Sequence, residues 1–313
     1  MFYISVFLIF LINIVMVLVS IAFLTLLERK VLSYIQLRKG PNKLGFIGIF
    51  QPFSDAIKLF SNENMNGIKV NQMYYLLSPM FMILLMLSSW IVIPYYYNLI
   101  TLNLGILYFL CCLSLGVYLV SILGWSSNSV YSIIGSIRSI AQTISYEVSL
   151  ILLLFSVIIM IESYTFYDFI KFQQFQWFIF MLFPISMMMF VSILSELNRS
   201  PFDFSEGESE LVSGFNTEYM SGGFALIFMS EYGMIIYLSY IYMLMFMGGD
   251  LLKLKILMIM LLMIFLVIWV RGALPRYRYD KLMYMIWKGY LPISLNLLLL
   301  MLSYKFMIYM LLN

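Results

Sequence analysis

The chain has 313 residues, 63% of them hydrophobic and only 11% charged, with 18 Lys and Arg against 15 Asp and Glu for a net charge of +3. A soluble domain carries about 25% charged residues, so the composition indicates an integral membrane protein read as one membrane domain, residues 1–313. Histidine is absent and there are only two cysteines, which excludes histidine-ligated haem, copper or zinc.

Apolar runs predict an all-α architecture of about eight transmembrane helices, at roughly 3–27, 73–93, 100–121, 139–161, 174–194, 219–246, 252–270 and 289–310. The first run starts almost at the N-terminus, with neither a basic signal-peptide region nor an Arg-rich transit peptide ahead of it. It is followed by Glu28-Arg29-Lys30 and then Arg38-Lys39-Gly40-Pro41-Asn42. These cations read either as interfacial anchors or as guides for a polar head group or partners for carboxylates.

Residues 44–60 are too short and too polar to span. Gln51, Ser54, Asp55 and Lys58 recur at i, i+3, i+4 and i+7, while Phe46, Ile47, Phe50, Phe53, Ile57 and Phe60 fill the remainder. That pattern predicts an amphipathic helix lying at the membrane surface, with Pro52 in its first turn. It is either a passive anchor or one wall of an opening at lipid level, with Asp55 facing an aqueous or partner-filled space. Cys111 and Cys112 sit side by side in the third apolar run. They read as small buried apolar residues, not as part of a disulfide framework or an iron–sulfur cluster.

Two carboxylates fall inside predicted spans. Glu147 lies about eight residues, or about 12 Å, into the fourth. Glu231 lies about twelve residues, or about 18 Å, into the sixth. A charge at such depth costs about 2.5–3.5 kcal/mol on the insertion scale. Each should therefore face the bundle interior, as a structural hydrogen-bonding acid or as a stepping stone for protons.

Between the fifth and sixth spans lies the most unusual stretch. Glu196, Asp203, Glu206, Glu208, Glu210 and Glu218 face one cation, Arg199. Like charges crowded between membrane spans repel one another and lose solvation, so something must offset the cost. Pro201, Gly207 and Gly214 predict a bent segment, and non-helical backbone at membrane depth is tolerated where it lines a watery cavity. The last long loop, Trp269 to Lys281, is basic and aromatic. It reads as an anchor, or else its Arg276 and Arg278 pair with the acidic stretch or with a docked soluble partner.

The distribution of Lys and Arg tests the span count. Fourteen fall on one side of the eight-span arrangement and four on the other, with both termini on the sparse side. By the positive-inside rule the basic side is the inner one. The acidic stretch lies there too, against the trend. Cations arranged as a topology signal argue against nucleic-acid binding.

Several segments together carry a resemblance. They are Glu28-Arg-Lys, Gln36-Leu-Arg-Lys-Gly-Pro-Asn42, Gln51-Pro-Phe-Ser-Asp-Ala-Ile-Lys58 and Ala141-Gln-Thr-Ile-Ser-Tyr-Glu147. With them stand Glu196-Leu-Asn-Arg-Ser-Pro-Phe-Asp203, Glu206-Gly-Glu-Ser-Glu-Leu-Val-Ser-Gly-Phe-Asn216, Glu218-Tyr and Arg276-Tyr-Arg-Tyr-Asp280. From about residue 20 to 292 the chain resembles the family of subunit 1 of the membrane arm of NADH:ubiquinone oxidoreductase, respiratory complex I, in its mitochondrially encoded form. Its richness in Met, Phe and Tyr fits an AT-rich genome. One departure is Asn64, where the family pattern leads us to expect a proline after Glu63.

The resemblance implies a place where the membrane arm meets a soluble arm that carries the flavin and iron–sulfur clusters. It implies ubiquinone as substrate, with no haem, metal or iron–sulfur cluster in this chain. Glu28, Arg29, Arg38, Asp55 and Phe60 would line or border a quinone tunnel, and Arg276 would lie near it. The tunnel would open to lipid beside the first span, the surface helix and the sixth span. An acidic path from the quinone chamber would map onto Glu196, Asp203, Glu206, Glu208, Glu210, Glu218, Glu147 and Glu231. Arg199 and Arg278 would serve in ion pairs. The implied partners are soluble quinone-module subunits, adjacent membrane-arm subunits and lipids. The implied location is the mitochondrial inner membrane, with both termini on the intermembrane-space side and the long loops in the matrix. Two other readings stay open on the residues alone: a transporter or channel acting by itself, and a passive structural anchor.

Overall fold

A computed structural model describes residues 2–63, 67, 69–95, 102–205, 207, 211–250 and 253–312. Glu206, Glu208 and Glu210, and with them the departure at Asn64, lie outside the described residues. Among the described residues the fold is all α, with no strand. Among the described residues, seven helices are long and apolar enough to cross a membrane.

Helix α1, Phe2–Ile35, extends well past the predicted end at residue 27. Hydropathy drops at Glu28-Arg29-Lys30, but nothing in that triplet breaks a helix. The stop comes at Leu37, which is left-handed at φ 57°. The Arg38 N–H donates to the Ser33 carbonyl at 2.8 Å and the Leu37 N–H to Tyr34 at 3.0 Å, which together form a Schellman cap. Glu28 and Arg29 therefore ride on a helix, not in a loop.

The surface helix α2 covers Gln51–Ser61, not 44–60. Gly45, Ile47 and Gly48 have φ values of 69°, 57° and 81°. Residues in that region cannot belong to a right-handed helix, so Phe46–Gly48 makes only a short turn. A Cβ on Gly48 would lie 2.3 Å from the Pro41 carbonyl oxygen, so this turn packs backbone on backbone. Pro52 occupies the first turn of α2 as expected.

Helices α3 (Gln72–Ser89), α4 (Gly105–Ser127) and α5 (Val130–Ile161) run back and forth beside one another. On α4, Cys112 is buried but Cys111 is exposed. Helix α5 starts at Val130, nine positions before the predicted 139, because Arg138 is carried within the helix. Glu147 consequently lies near the helix midpoint.

A short α6, Phe166–Phe172, lies at the opposite end of the bundle from α2. The predicted fifth span is broken in two: α7, Phe178–Met181, and α8, Phe183–Glu196. Leu182 leaves the helical region (φ −111°, ψ 34°), and Pro184 in the first turn of α8 lacks the N–H that would continue the ladder. Helices α9 (Ser221–Met247), α10 (Leu254–Ala273), α11 (Tyr279–Tyr284) and α12 (Leu291–Leu312) complete the fold, with a π turn over Met285–Tyr290 joining the last two. From Ile235 to Phe246 every residue of α9 is buried. A helix that is apolar on all sides belongs at the centre of a bundle, and α9 packs against α1, α2, α3, α8 and α10.

Candidate functional site

Helices α1, α2 and α9 meet around a cavity of about 620 Å³. That falls within the range of about 300–1,000 Å³ typical of small-molecule pockets. Most of its wall is apolar: Val15, Leu18 and Ala22 from α1, Phe53 and Phe60 from α2, and Phe224 and Phe228 from α9. Phe53 and Phe60 are exposed and form a rim. Polar groups gather at one side, where Glu28, Arg29, Asp55, Tyr232 and Arg271 join the lining.

Two carboxylates organise that polar end. Arg29 donates to Asp55 at 2.5 Å, and Gln51 donates to the other Asp55 oxygen at 2.9 Å. The Gln51–Asp55 contact is the i, i+4 pairing expected of α2's polar face. Deeper in, Glu28 is only 5% exposed. It accepts from Arg271 in the last turn of α10 and faces Arg199 at 3.6 Å. One carboxylate thus serves two guanidinium groups.

The segment after α8 is shaped by local hydrogen bonds. Asn198 is left-handed at φ 49°. The Asn198 N–H donates to Ser195 at 3.2 Å and the Arg199 N–H to Leu194 at 3.5 Å, the same cap that ends α1. Asn tolerates this conformation better than most side chains. The chain reverses, and Arg199 swings towards α1 and α9. Gln142, buried on α5, donates from its Nε2 to the Ser195 and Phe202 carbonyls at 2.9 and 2.8 Å. The Tyr277 N–H donates to the Pro201 carbonyl at 3.0 Å. The acidic stretch is in this way pinned to α5 on one side and to the last basic loop on the other.

Asp203 is 5% exposed and pairs with Arg276 at 3.4 Å. This joins the acidic stretch to the last loop, one of the pairings open to Arg276 from the sequence. Arg278 pairs instead with Asp280 at 3.1 Å, both well exposed. Arg38 is exposed on the turn after α1 and does not line the cavity.

A second, smaller cavity of about 100 Å³ lies between α3, α4, α5 and α9. Its polar lining is Ser139, Thr143, Glu196, Asn198, Ser230 and Glu231. Water occupies about 30 Å³ per molecule in the liquid, so a few molecules fit. Buried Glu196 Oε2 and Asn198 Oδ1 have no hydrogen-bond partner among the described residues, the condition that ordered water relieves. Glu147 is close enough to Glu196 to act on it electrostatically, and its own Oε1 is likewise buried and unmet. Glu218 is exposed, and its carbonyl accepts from Tyr75 at 2.6 Å.

The structure therefore gathers Glu28, Arg29, Asp55 and Phe60 at one cavity. It gathers Glu196 and Glu231 at another, with Glu147 nearby. Asp203, itself buried, bridges to the exposed Arg276, while Arg38, Arg278 and Glu218 stand apart at the surface. Arg271, Phe224 and Phe228 are not singled out by sequence. Arg271 was counted among topology cations, and the α9 aromatics look like any others in an oily helix.

Comparison with known proteins agrees with this arrangement. A family model described as NADH dehydrogenase matches residues 8–302. The chain is 57% identical to NADH-ubiquinone oxidoreductase chain 1 of Anopheles quadrimaculatus over 285 residues, 91% of each chain. It is 51% identical to the chain of the same name from Aedes aegypti over 295 residues, 94% of each, and 53% identical to that of Locusta migratoria over 289 residues, 92% of each. With matches of that extent across a multi-pass helical bundle, the chain belongs to the NADH dehydrogenase family.

Proposed function

We propose that this chain is a core membrane subunit of an NADH:ubiquinone oxidoreductase, that it houses ubiquinone in the larger cavity, and that it links quinone reduction to proton movement. The observation that carries this reading is the chemistry of the 620 Å³ cavity. It has a long apolar body, an aromatic rim at the surface helix and one charged end. A molecule with an isoprenoid tail and a polar head matches that division, since the tail gains from burial and the head needs hydrogen-bonding partners.

The chemistry divides by residue. The oily wall of α1, α2 and α9 takes the tail. Glu28, Arg271, Arg29 and Asp55 meet a head group on its passage, and their charges exclude purely apolar molecules from that end. Glu196, Glu231 and Glu147, with the hydroxyls of Ser139, Thr143 and Ser230, form a polar route through the bundle. Carboxylic acids in such surroundings exchange protons with water and with one another. The carboxylates of the acidic stretch, Glu206, Glu208, Glu210 and Glu218 among them, extend that route in the proposal. The electron-transfer centres belong to partner subunits that dock on the basic loops.

The proposed location is the mitochondrial inner membrane. The basic loops face the matrix by the positive-inside rule, and both termini face the intermembrane space. Native electrophoresis after gentle solubilisation tests the assembly claim. The chain should co-migrate with an NADH-dependent activity stain in a large complex. Migration as a lone small protein would favour the independent transporter instead.

A further inference from the structure

A third cavity opens at the end of the bundle away from α2, with a volume of about 250 Å³ and no residue in common with the two described above. Its floor is apolar: Val92 and Ile93 follow α3, Phe166 starts α6, and all three are buried. Its polar side is Thr165, Asp168 and Lys171. Lys171 donates to one Asp168 oxygen at 2.9 Å, and Thr165 donates to the other at 2.5 Å. Lys171 also stands 4.7 Å over the Tyr167 ring. Thr165 first and Lys171 second hold the Asp168 carboxyl below the usual carboxylate range, and Asp168 holds the Lys171 ammonium above its own. Both groups therefore stay charged around neutral pH.

The pair keeps bonding capacity in reserve. An ammonium has three donors, and Lys171 gives one to Asp168. A carboxylate can accept about four hydrogen bonds, and Thr165 and Lys171 supply two. A purely anionic ligand would meet the Asp168 carboxylate, and a purely cationic one the Lys171 ammonium. A ligand that carries both charges a few bonds apart is attracted at each end. The volume, just below the range of about 300–1,000 Å³ of small-molecule pockets, suits a small polar group.

The surface beside the cavity points to a lipid. Leu104, Leu107, Cys111, Leu115 and Tyr118 are exposed at spacings of three and four along α4 and make one continuous stripe. The stripe begins between the cavity-lining Asn103 and Gly105. It is about 21 Å long, and one leaflet of the hydrocarbon core is about 15 Å deep, so an acyl chain can follow it through the leaflet. Exposed Tyr164 and Tyr167 stand beside the polar side, as aromatic side chains do at a membrane interface.

We propose that this cavity holds the head group of a zwitterionic phospholipid with a primary amine, its phosphate on Lys171 and its ammonium on Asp168, with one acyl chain laid along the α4 stripe. The lipid belongs to the leaflet opposite α2. A primary ammonium donates to Asp168, whereas a quaternary one has no N–H to give, so the site prefers an ethanolamine head group to a choline one. The bound lipid fills the space between the ends of α3, α4 and α6 and ties them together. The proposal is independent of the quinone reading of the larger cavity.

The test uses the intact complex in vesicles that carry a phospholipid with a diazirine on its acyl chain. Ethanolamine, choline and glycerol head groups are compared in turn, and cross-linked residues are mapped by mass spectrometry. The ethanolamine lipid should label the α4 stripe about 5- to 10-fold more than the other two. Excess unlabelled ethanolamine lipid should displace it. Soluble glycerophosphoethanolamine should not, because it lacks the chain. Lys171→Met should lower ethanolamine labelling to the choline level. Asp168→Asn should remove the preference and raise labelling by the anionic glycerol lipid, since the Lys171 charge then stands without its carboxylate. Neither residue lines the other two cavities, so NADH:quinone activity should stay near wild type and report intact assembly. Equal labelling by all three lipids on the wild-type complex would overturn the proposal, whether or not either variant assembles. So would labelling that neither substitution changes. Displacement by glycerophosphoethanolamine as effective as that by lipid would also overturn it, by assigning the cavity to a soluble solute.

Discussion

Glu28 offers the sharpest test of the charge arrangement. It is 5% exposed and sits between Arg271 and Arg199. Across the 3.6 Å to Arg199, an effective dielectric of about 20 gives an attraction of about 4–5 kcal/mol. Glu28→Gln removes the only negative charge in the trio and leaves buried Arg199 and half-buried Arg271 facing each other. Breaking a buried pair in this way costs about 3–5 kcal/mol. Arg271→Gln should cost less, about 1 kcal/mol, because Arg271 is 30% exposed and Glu28 keeps Arg199. The double variant should be milder than the sum by about 1.5 kcal/mol or more, since removing both partners leaves fewer unmatched charges. Large membrane complexes inactivate irreversibly, so the assay is the half-life of quinone reductase activity at a fixed elevated temperature. A loss of about 3 kcal/mol felt fully in the opening step shortens that half-life by about 100-fold. Strictly additive effects, or a Glu28→Gln half-life equal to wild type, would refute the reasoning by showing that Glu28 does not hold the two guanidiniums together.

Two further expectations test packing and the opposite end of the bundle. A Cβ on Gly135 would lie 2.9 Å from the Gly214 Cα and 3.0 Å from the Phe215 nitrogen, all backbone. One on Gly233 would meet only the Met86 side chain, at 2.6 Å from its sulfur. Gly135→Ala should therefore cost about 1–3 kcal/mol and Gly233→Ala clearly less, because Met can turn aside. The half-life assay should rank them so, and the reverse order would contradict the packing. Beyond the end of α5, Glu162 pairs with Lys305 at 2.8 Å and accepts from Tyr309. These bonds, that of Lys305 first, hold its carboxyl below the usual 4.5. A depressed carboxylate stabilises the fold above its unfolded pKa and loses that contribution as pH falls through the folded value. Glu162→Gln should thus shorten the half-life slightly at pH 7 and make no difference well below pH 4.5. An effect that persists in acid would show that the tie to α12 is not ionic.

Much of the architecture was legible because membrane helices are long, apolar and bounded by charge. What composition could not reveal was local chain chemistry. Helix α1 runs to Ile35 because Glu28-Arg29-Lys30 lower hydropathy without breaking a helix, and α5 absorbs Arg138 for the same reason. The break at Leu182 follows from Pro184, whose effect an averaged apolar run conceals. The surface helix was readable from its polar face, but its start was set by left-handed residues at Gly45, Ile47 and Gly48. At the candidate site, Arg29 and Asp55 stand out as polar side chains in an oily chain, whereas Glu28 is marked by the family resemblance. Arg271 does not stand out, since a helix-end cation looks ordinary until a fold brings it to Glu28. The exposure of Glu218 is a matter of side-chain direction in an irregular segment, which no spacing rule supplies.

The central claim is that the cavity between α1, α2 and α9 is where a quinone resides. The most direct measurement is mass-spectrometric mapping of a photoreactive quinone cross-linked to the intact complex. The account predicts labels on the oily wall, on segments containing Phe53, Phe60, Phe224 and Phe228, competed away by excess unmodified quinone. Labels confined to other faces of the bundle, or labels that excess quinone does not displace, would contradict it.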